Sequence, residues 1–246
     1  NNPKRKFPVV LDPTVIAGSG YSTYVQEGFP TVARCNANTF VAVGYDPGNV
    51  GQKRTRGFFH LSLPTLPAGS TITSATFRAY QYYYEYSNGY TANIYRVTSD
   101  WANPQTCGAG INVWTWNNPP GIDWSTIYGS SNIPRGKIWG EWAITGLMQQ
   151  WYSGVPNQGL AVVASPETAR GSYFCSSIAY ADGQCGVPDP QNYRPYAVID
   201  YVASFSISGR IVDSGGFPVA GVTVSNGAGK TATTDSNGNY TLTDVA

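Results

Sequence analysis

Apolar and polar positions alternate in short runs along most of the chain, and Gly, Pro, Asn and Asp punctuate them. That is the signature of strands rather than helices. Strands are predicted at 39–44 (TFVAVG), 55–62 (TRGFFHLS), 71–86, 91–98, 159–164 (GLAVVA), 172–176 and 196–202 (YAVIDYV). Period two sends Phe59 and Leu61 to one face of the second run and Phe58 and His60 to the other. One segment breaks the pattern. In AITGLMQQWYSG (143–154), Ile144, Leu147, Met148 and Trp151 recur at helical spacing. A short amphipathic helix is predicted there, with Thr145 as its cap and Gly154 as its stop. The fold expected from the pattern is all-β, a sandwich or barrel.

The stretch RAYQYYYEYSNGYTANIYRV (78–97) crowds Tyr80, Tyr82, Tyr83, Tyr84, Tyr86 and Tyr90 around Asn88-Gly89. An Asn-Gly pair between alternating runs predicts a two-residue hairpin, which would set Tyr95 opposite Tyr82. Tyr80, Tyr82, Tyr84 and Tyr86 then share one face. Phe77 and Ala79 look inward, so the even-numbered rings look out. A bulge beyond residue 81 would reverse that. Strand propensity accounts for some of these rings. Four in a row beside Arg78 point to an outward aromatic strip used for contact.

Near residue 204 the texture changes, since no Trp follows and only Tyr240 remains of the tyrosines. Strand candidates at 205–212, 219–225, 230–234 and 239–243 are separated by Ser214-Gly215-Gly216, Asn226-Gly227 and Asn237-Gly238, the last read as a type I′ hairpin. Three segments follow: an extended arm over 1–19, a large β domain over 20–202 and a small unit over 205–246. So small a unit is expected to leave Ile211, Val219, Val222, Val224 and Leu242 poorly covered.

Charged residues make up only 12% and the net charge is +1, which removes the electrostatic footprint of a nucleic-acid or polybasic membrane binder. No apolar run is long enough to insert in a bilayer. The opening NNPKRKFPVV reads as a mature chain after removal of an export signal. Cys35, Cys107, Cys175 and Cys185 lack C-x-x-C spacing, so two disulfides are expected rather than zinc. Of the three connectivities, Cys175–Cys185 with Cys35–Cys107 is favoured.

Catalysis is not expected. His60 is the sole histidine and reads as a strand-surface residue, and neither G-x-S-x-G nor H-E-x-x-H occurs. The acids sit mostly at turns such as Asp46-Pro47 and Asp213-Ser214. DSNGN (235–239) copies half a calcium loop without its distal Glu, so no metal ligand set is assigned. No cofactor is expected; the one cation an extracellular all-β domain would admit here is a structural calcium near Asp182 or Asp189.

RGFFHLSLPTLPAGSTITSATFRAY (56–80), IYRVTSDW (94–101), TWNNPP (115–120), AITGLMQQWYSGVPNQGLAV (143–162) and RPYAVIDYV (194–202) follow in one order. Together they resemble the DNRLRE-type module, an extracellular β jelly roll grouped among carbohydrate-binding modules. The resemblance implies a jelly-roll sandwich over 20–202. Acids usual in that family are replaced here by Ser22, Ser62 and Asn103. SGRIVDSGGFPVAGVTV (208–224) and TTDSNGNYTLTDV (233–245) resemble the start of a carboxypeptidase-regulatory-like domain, implying a partial transthyretin-like sandwich. Trp101, Trp116 and Trp151 fall within the matching motifs and read as packing residues. Trp124 and Trp139 do not, and read as contact residues.

Two functions follow. The first is a non-catalytic, secreted or cell-surface protein that binds polysaccharide or mediates adhesion through Tyr80, Tyr82, Tyr84, Tyr86, Tyr95, Trp124 and Trp139. The second is a structural subunit that assembles with copies of itself into an extracellular filament or surface layer by β-strand addition, with FPVVLDPTVIA (7–17) as the donor.

Overall fold

The computed structural model describes residues 13–34, 40–45, 53–84, 89–101, 114–177, 184–187, 190–203 and 205–245. The chain divides into two compact units, one of residues 15–64 and 74–199, the other of residues 1–14, 65–73 and 200–246.

The strands in chain order are β1 (Thr14–Gln26), β2 (Phe40–Tyr45), β3 (Arg54–Ser62), β4 (Thr71–Tyr84), β5 (Tyr90–Arg96), β6 (Gly129–Ile133), β7 (Ile138–Ala143), β8 (Leu160–Ser165), β9 (Ser172–Cys175) and β10 (Tyr196–Val202). They are all-β sandwich material, joined as β1-β10-β4-β9-β2-β3-β8-β5-β6. β7 adds to β4, and β1 pairs a second time with β3. Both β1 and β4 change partners along their length. β4 bonds β7 over Thr76–Gln81 and β9 over Gln81–Tyr84, which folds the ladder into two layers.

Period two makes the core between the layers. Phe77, Ala79, Gly140 and Trp142 face inward from β4 and β7, and Phe59, Leu160, Val162 and Ile94 from β3, β8 and β5. Phe59 meets Phe77 at 5.3 Å, and Phe77 meets Trp142 at 5.7 Å. Trp142 spends its only donor on the Ala92 carbonyl at 2.8 Å, so its burial leaves no polar group unpaired. β2 and β9 approach so closely that a Cβ on Gly171 would land on the Val43 carbonyl oxygen, opposite Gly44 at φ +107°.

Helix α1 (Thr145–Tyr152) seals one end of this unit with Leu147, Met148 and Trp151. Its cap is Ile144 rather than Thr145. The Thr145 hydroxyl accepts the Ala75 N–H at 3.0 Å, so the side chain is spent on β4 and not on the helix's own orphan donors. Gly154, at φ +103°, stops the helix as its sequence predicts.

Several expectations give way to long-range pairing. β4 and β5 form no hairpin: β5 has β6 on one edge and β8 on the other, so no edge remains for β4. Tyr95 therefore opposes Ala161, not Tyr82. β1, β6 and β7 were not predicted, because TVIAGSGYSTYVQ, GSSNI and IWGEWA carry Gly and Ser where apolar residues would announce a strand. Residues 14–19, read as part of the arm, are the first half of β1. The tail of the expected donor segment is thereby occupied, since Pro13 accepts the Tyr201 N–H within the chain's own ladder. Residues 7–12, Cys35, Cys107, Tyr86, Asn88, Asn103, Asp182 and Asp189 lie outside the described residues.

In the smaller unit β11 (Phe205–Arg210) pairs with β14 (Asn239–Val245), and β12 (Thr223–Ser225) with β13 (Thr231–Thr233). Asn237-Gly238 is not a type I′ turn, because only Gly238 has positive φ, at +77°. The turn is held instead by the Asp235 carboxylate, which accepts the Asn237 and Asn239 N–H groups at 2.8 Å each. That carboxylate is committed to its own backbone. Leu242 is buried, contrary to expectation, because it alternates along β14 with exposed Thr241 and Thr243.

Candidate functional site

The outward face of β3 carries Arg54, Arg56, Phe58 and His60. Its far end is roofed by the chain after β5. Phe58, Val25, Val97, Ala161 and Val163 pack under Trp101, with Tyr21, Tyr95, Trp114, Trp116 and Ile122 at the border. His60 is thus not a plain surface residue. Its ring stacks on Tyr21 at 4.4 Å and 6°, and burial lowers its pKa. Trp101 is fully buried and donates to the Gln158 carbonyl.

The near end of this face is open. Arg56 lies 4.6 Å from the Trp116 ring centre and 4.9 Å from that of Trp124. Its fork binds Glu167 through two N–H···O bonds of 2.9 Å. Arg54 rests 5.2 Å from Trp116 and grips Glu27 at 2.7 and 3.0 Å, which holds the Glu27 carboxyl at about 2 against its ordinary 4.5. Trp124, 49% exposed, also packs on Tyr95 at 5.0 Å. Arg96 and Asp123 meet at 3.1 Å beside it, and Ser125 and Arg96 hold Asp123 below the usual carboxylate range. Indole rings under carboxylate-held guanidinium groups combine apolar faces with oriented donors and acceptors, a surface for a ligand with both apolar C–H faces and hydroxyls. Charges are balanced, and Arg54 and Arg56 are each fixed by a bidentate carboxylate and a ring, so this part of the surface is preorganised.

The remaining aromatics predicted as one strip are dispersed. Across β4 and β7, on the opposite side, Tyr80 pairs with Trp139 beside Tyr193 and Tyr196. Tyr80 is buried against Val187 and the Cys175–Cys185 disulfide, so it is packing rather than the outward contact ring expected, and the other three rings are partly exposed. Tyr82 borders that cluster, and burial pushes its hydroxyl far above the ordinary range. A register irregularity lies between Gln81 and Tyr83, and among the described tyrosines of β4 Tyr83 is the most exposed, at 46%, while Tyr82 and Tyr84 are partly exposed. Tyr84 lies under the Arg135 guanidinium at 5.3 Å. Cys175–Cys185 is a disulfide, as its loop suggests.

The sequence profile of carbohydrate-binding module family 96 matches residues 19–181, about two thirds of the chain. The chain belongs to carbohydrate-binding module family 96. Among curated proteins none matches the sequence. The matched span contains every residue of the surface around Arg56: Arg54, Tyr95, Arg96, Trp116, Asp123, Trp124 and Glu167. It excludes Tyr193 and Tyr196 of the opposite face. Trp124 and Tyr95 are among the contact aromatics expected from the sequence. Trp116, expected as packing, is partly buried against the Trp101 cluster, and Arg56 and Glu167 were not singled out. Period two along β3 does put Arg54 and Arg56 on the Phe58 face. That the chain around Trp116 and Trp124 comes to lie against them is set by tertiary structure alone.

Proposed function

We propose that the module binds polysaccharide, without catalysis, at the surface formed by Tyr95, Trp116, Trp124, Arg56 and Glu167. The observation carrying this reading is the half-exposed Trp124 ring standing beside a guanidinium locked by a bidentate carboxylate. A pyranose lays its C–H face on the indole, and its hydroxyls reach Arg56, Glu167, Arg96 and Asp123 at the rim. The fixed ion pairs lower the ordering cost of such contacts. The disulfide Cys175–Cys185 supports an oxidising, extracellular setting. Attachment of a secreted or surface protein to a glycan follows from the two together.

Affinity electrophoresis in gels containing xylan, galactomannan, hydroxyethylcellulose or polygalacturonate tests the reading. The intact chain is retarded by at least one of them. Trp124→Ala removes one anchoring ring, an effect on the order of 2 kcal/mol or about thirtyfold in affinity, while the melting temperature falls by only a few degrees. Equal retardation of the variant and the intact chain would refute the assignment.

A further inference from the structure

The outer faces of the two layers both carry aromatic rings flanked by an Arg–Glu pair, and they look away from each other. On β4 and β7 the residues that alternate with inward Phe77, Ala79, Gly140 and Trp142 are Arg78, Tyr80, Trp139 and Glu141. On β3 and β8 the residues that alternate with inward Phe59 and Leu160 are Phe58 and Ala161. Phe59 and Phe77 touch in between, so the shared core separates the two surfaces.

On the second surface Trp139 and Tyr193 lie parallel within 8°, their centres 6.1 Å apart. Both rings are partly exposed, and buried Tyr80 props them from below at 5.4 and 4.4 Å, while Tyr196 meets Trp139 edge-on at 5.4 Å. Arg78 bonds Glu141 at 2.9 Å and the Tyr196 hydroxyl at 3.2 Å, giving the rim one fixed donor group and one fixed acceptor group. Beneath lie Cys175–Cys185 and Val187, which tie the Tyr193 side to β9. Parallel rings with a neutral donor–acceptor rim fit a chain of uncharged pyranoses, by the same chemistry as the first surface. A flat protein partner would leave that ion pair to be desolvated.

We infer that the module is bivalent: Trp139 and Tyr193 hold a second glycan chain, and one copy bridges two chains. This rests on the proposed function for the first surface. A sandwich layer spacing of about 10 Å, with side chains on both sides, keeps one straight strand from touching both surfaces.

The test is dynamic light scattering of dilute galactomannan or hydroxyethylcellulose, whichever retards the intact chain, titrated with the protein. Bridging raises the apparent size at least twofold at intermediate ratios, and the rise declines again in excess protein. Trp139→Ala with Tyr193→Ala, and separately Trp124→Ala, keep measurable retardation in the gel but abolish the rise. Tyr193→Ser alone, outside any strand, gives a second variant should Trp139→Ala fail to fold. Combining Trp124→Ala with Tyr193→Ser removes retardation.

An intact chain that is retarded but gives no rise overturns bivalency alone. So does a rise that survives Trp139→Ala with Tyr193→Ala, or self-association to the same size without polysaccharide, which would make the surface a seat for a second copy. Failure of the intact chain to bind any uncharged polysaccharide overturns the inference. Failure to bind polygalacturonate as well overturns the proposed function with it.

Discussion

Arg56→Met deletes the guanidinium at the centre of the candidate surface and keeps the apolar stem. The pair it breaks is neither fully exposed nor fully buried: side-chain exposure is 17% for Arg56 and 26% for Glu167. Exposed pairs contribute about 0–1 kcal/mol, and stranding one partner of a buried pair costs about 3–5 kcal/mol. The intermediate burial and the two 2.9 Å bonds place this pair near the middle. The two ring contacts, at 4.6 and 4.9 Å, add roughly 0.5 kcal/mol each. A loss of about 2–3 kcal/mol is expected, or a melting temperature lower by about 5–10 °C. Arg56→Lys keeps the charge but not the planar fork, and loses about half as much. Guanidinium chloride unfolding of both variants measures this, and a double-mutant cycle with Glu167→Gln isolates the pair, with coupling of about 1.5 kcal/mol. Coupling indistinguishable from zero, or Arg56→Lys as stable as the native chain, would refute the reasoning.

Two further outcomes follow from the same structure. The disulfide closes a loop of sequence separation 10, so Cys175→Ser with Cys185→Ser lowers stability by about 2.7 kcal/mol on chain-entropy grounds; denaturant midpoints of the oxidised and substituted proteins check it. Glu27 is held at about 2 by Arg54, below its ordinary 4.5, so its stabilising contribution is complete above pH 4.5 and disappears as pH falls through about 2. Melting temperatures recorded from pH 6 to pH 2 show a drop that Glu27→Gln makes shallower; parallel curves for the two proteins would contradict the pairing.

The local pattern of this chain determined whatever depends on near neighbours. Alternation announced β3, β4, β8, β9 and β10, and helical spacing of Leu147, Met148 and Trp151 announced α1, because each period selects one backbone geometry for burying one face. The loop between Cys175 and Cys185 announced its own closure. Other features depend on which edges and faces meet across the chain. Asn88-Gly89 carried every local mark of a hairpin, yet β6 and β8 took both edges of β5, and a backbone edge bonds only once. The even-numbered tyrosines of β4 were expected outward, but Tyr80 is buried against Val187 and the disulfide, and past a register irregularity after Gln81 Tyr83 is the most exposed of the described rings. The partners of Tyr80 and Trp139 came from residues 193 and 196, more than fifty positions further along. Arg56 was one cation among fifteen until tertiary structure set it against Trp116, Trp124 and Glu167, residues 60 to 111 positions away. Local sequence fixes which side chains share a face; only the packed fold decides what that face meets.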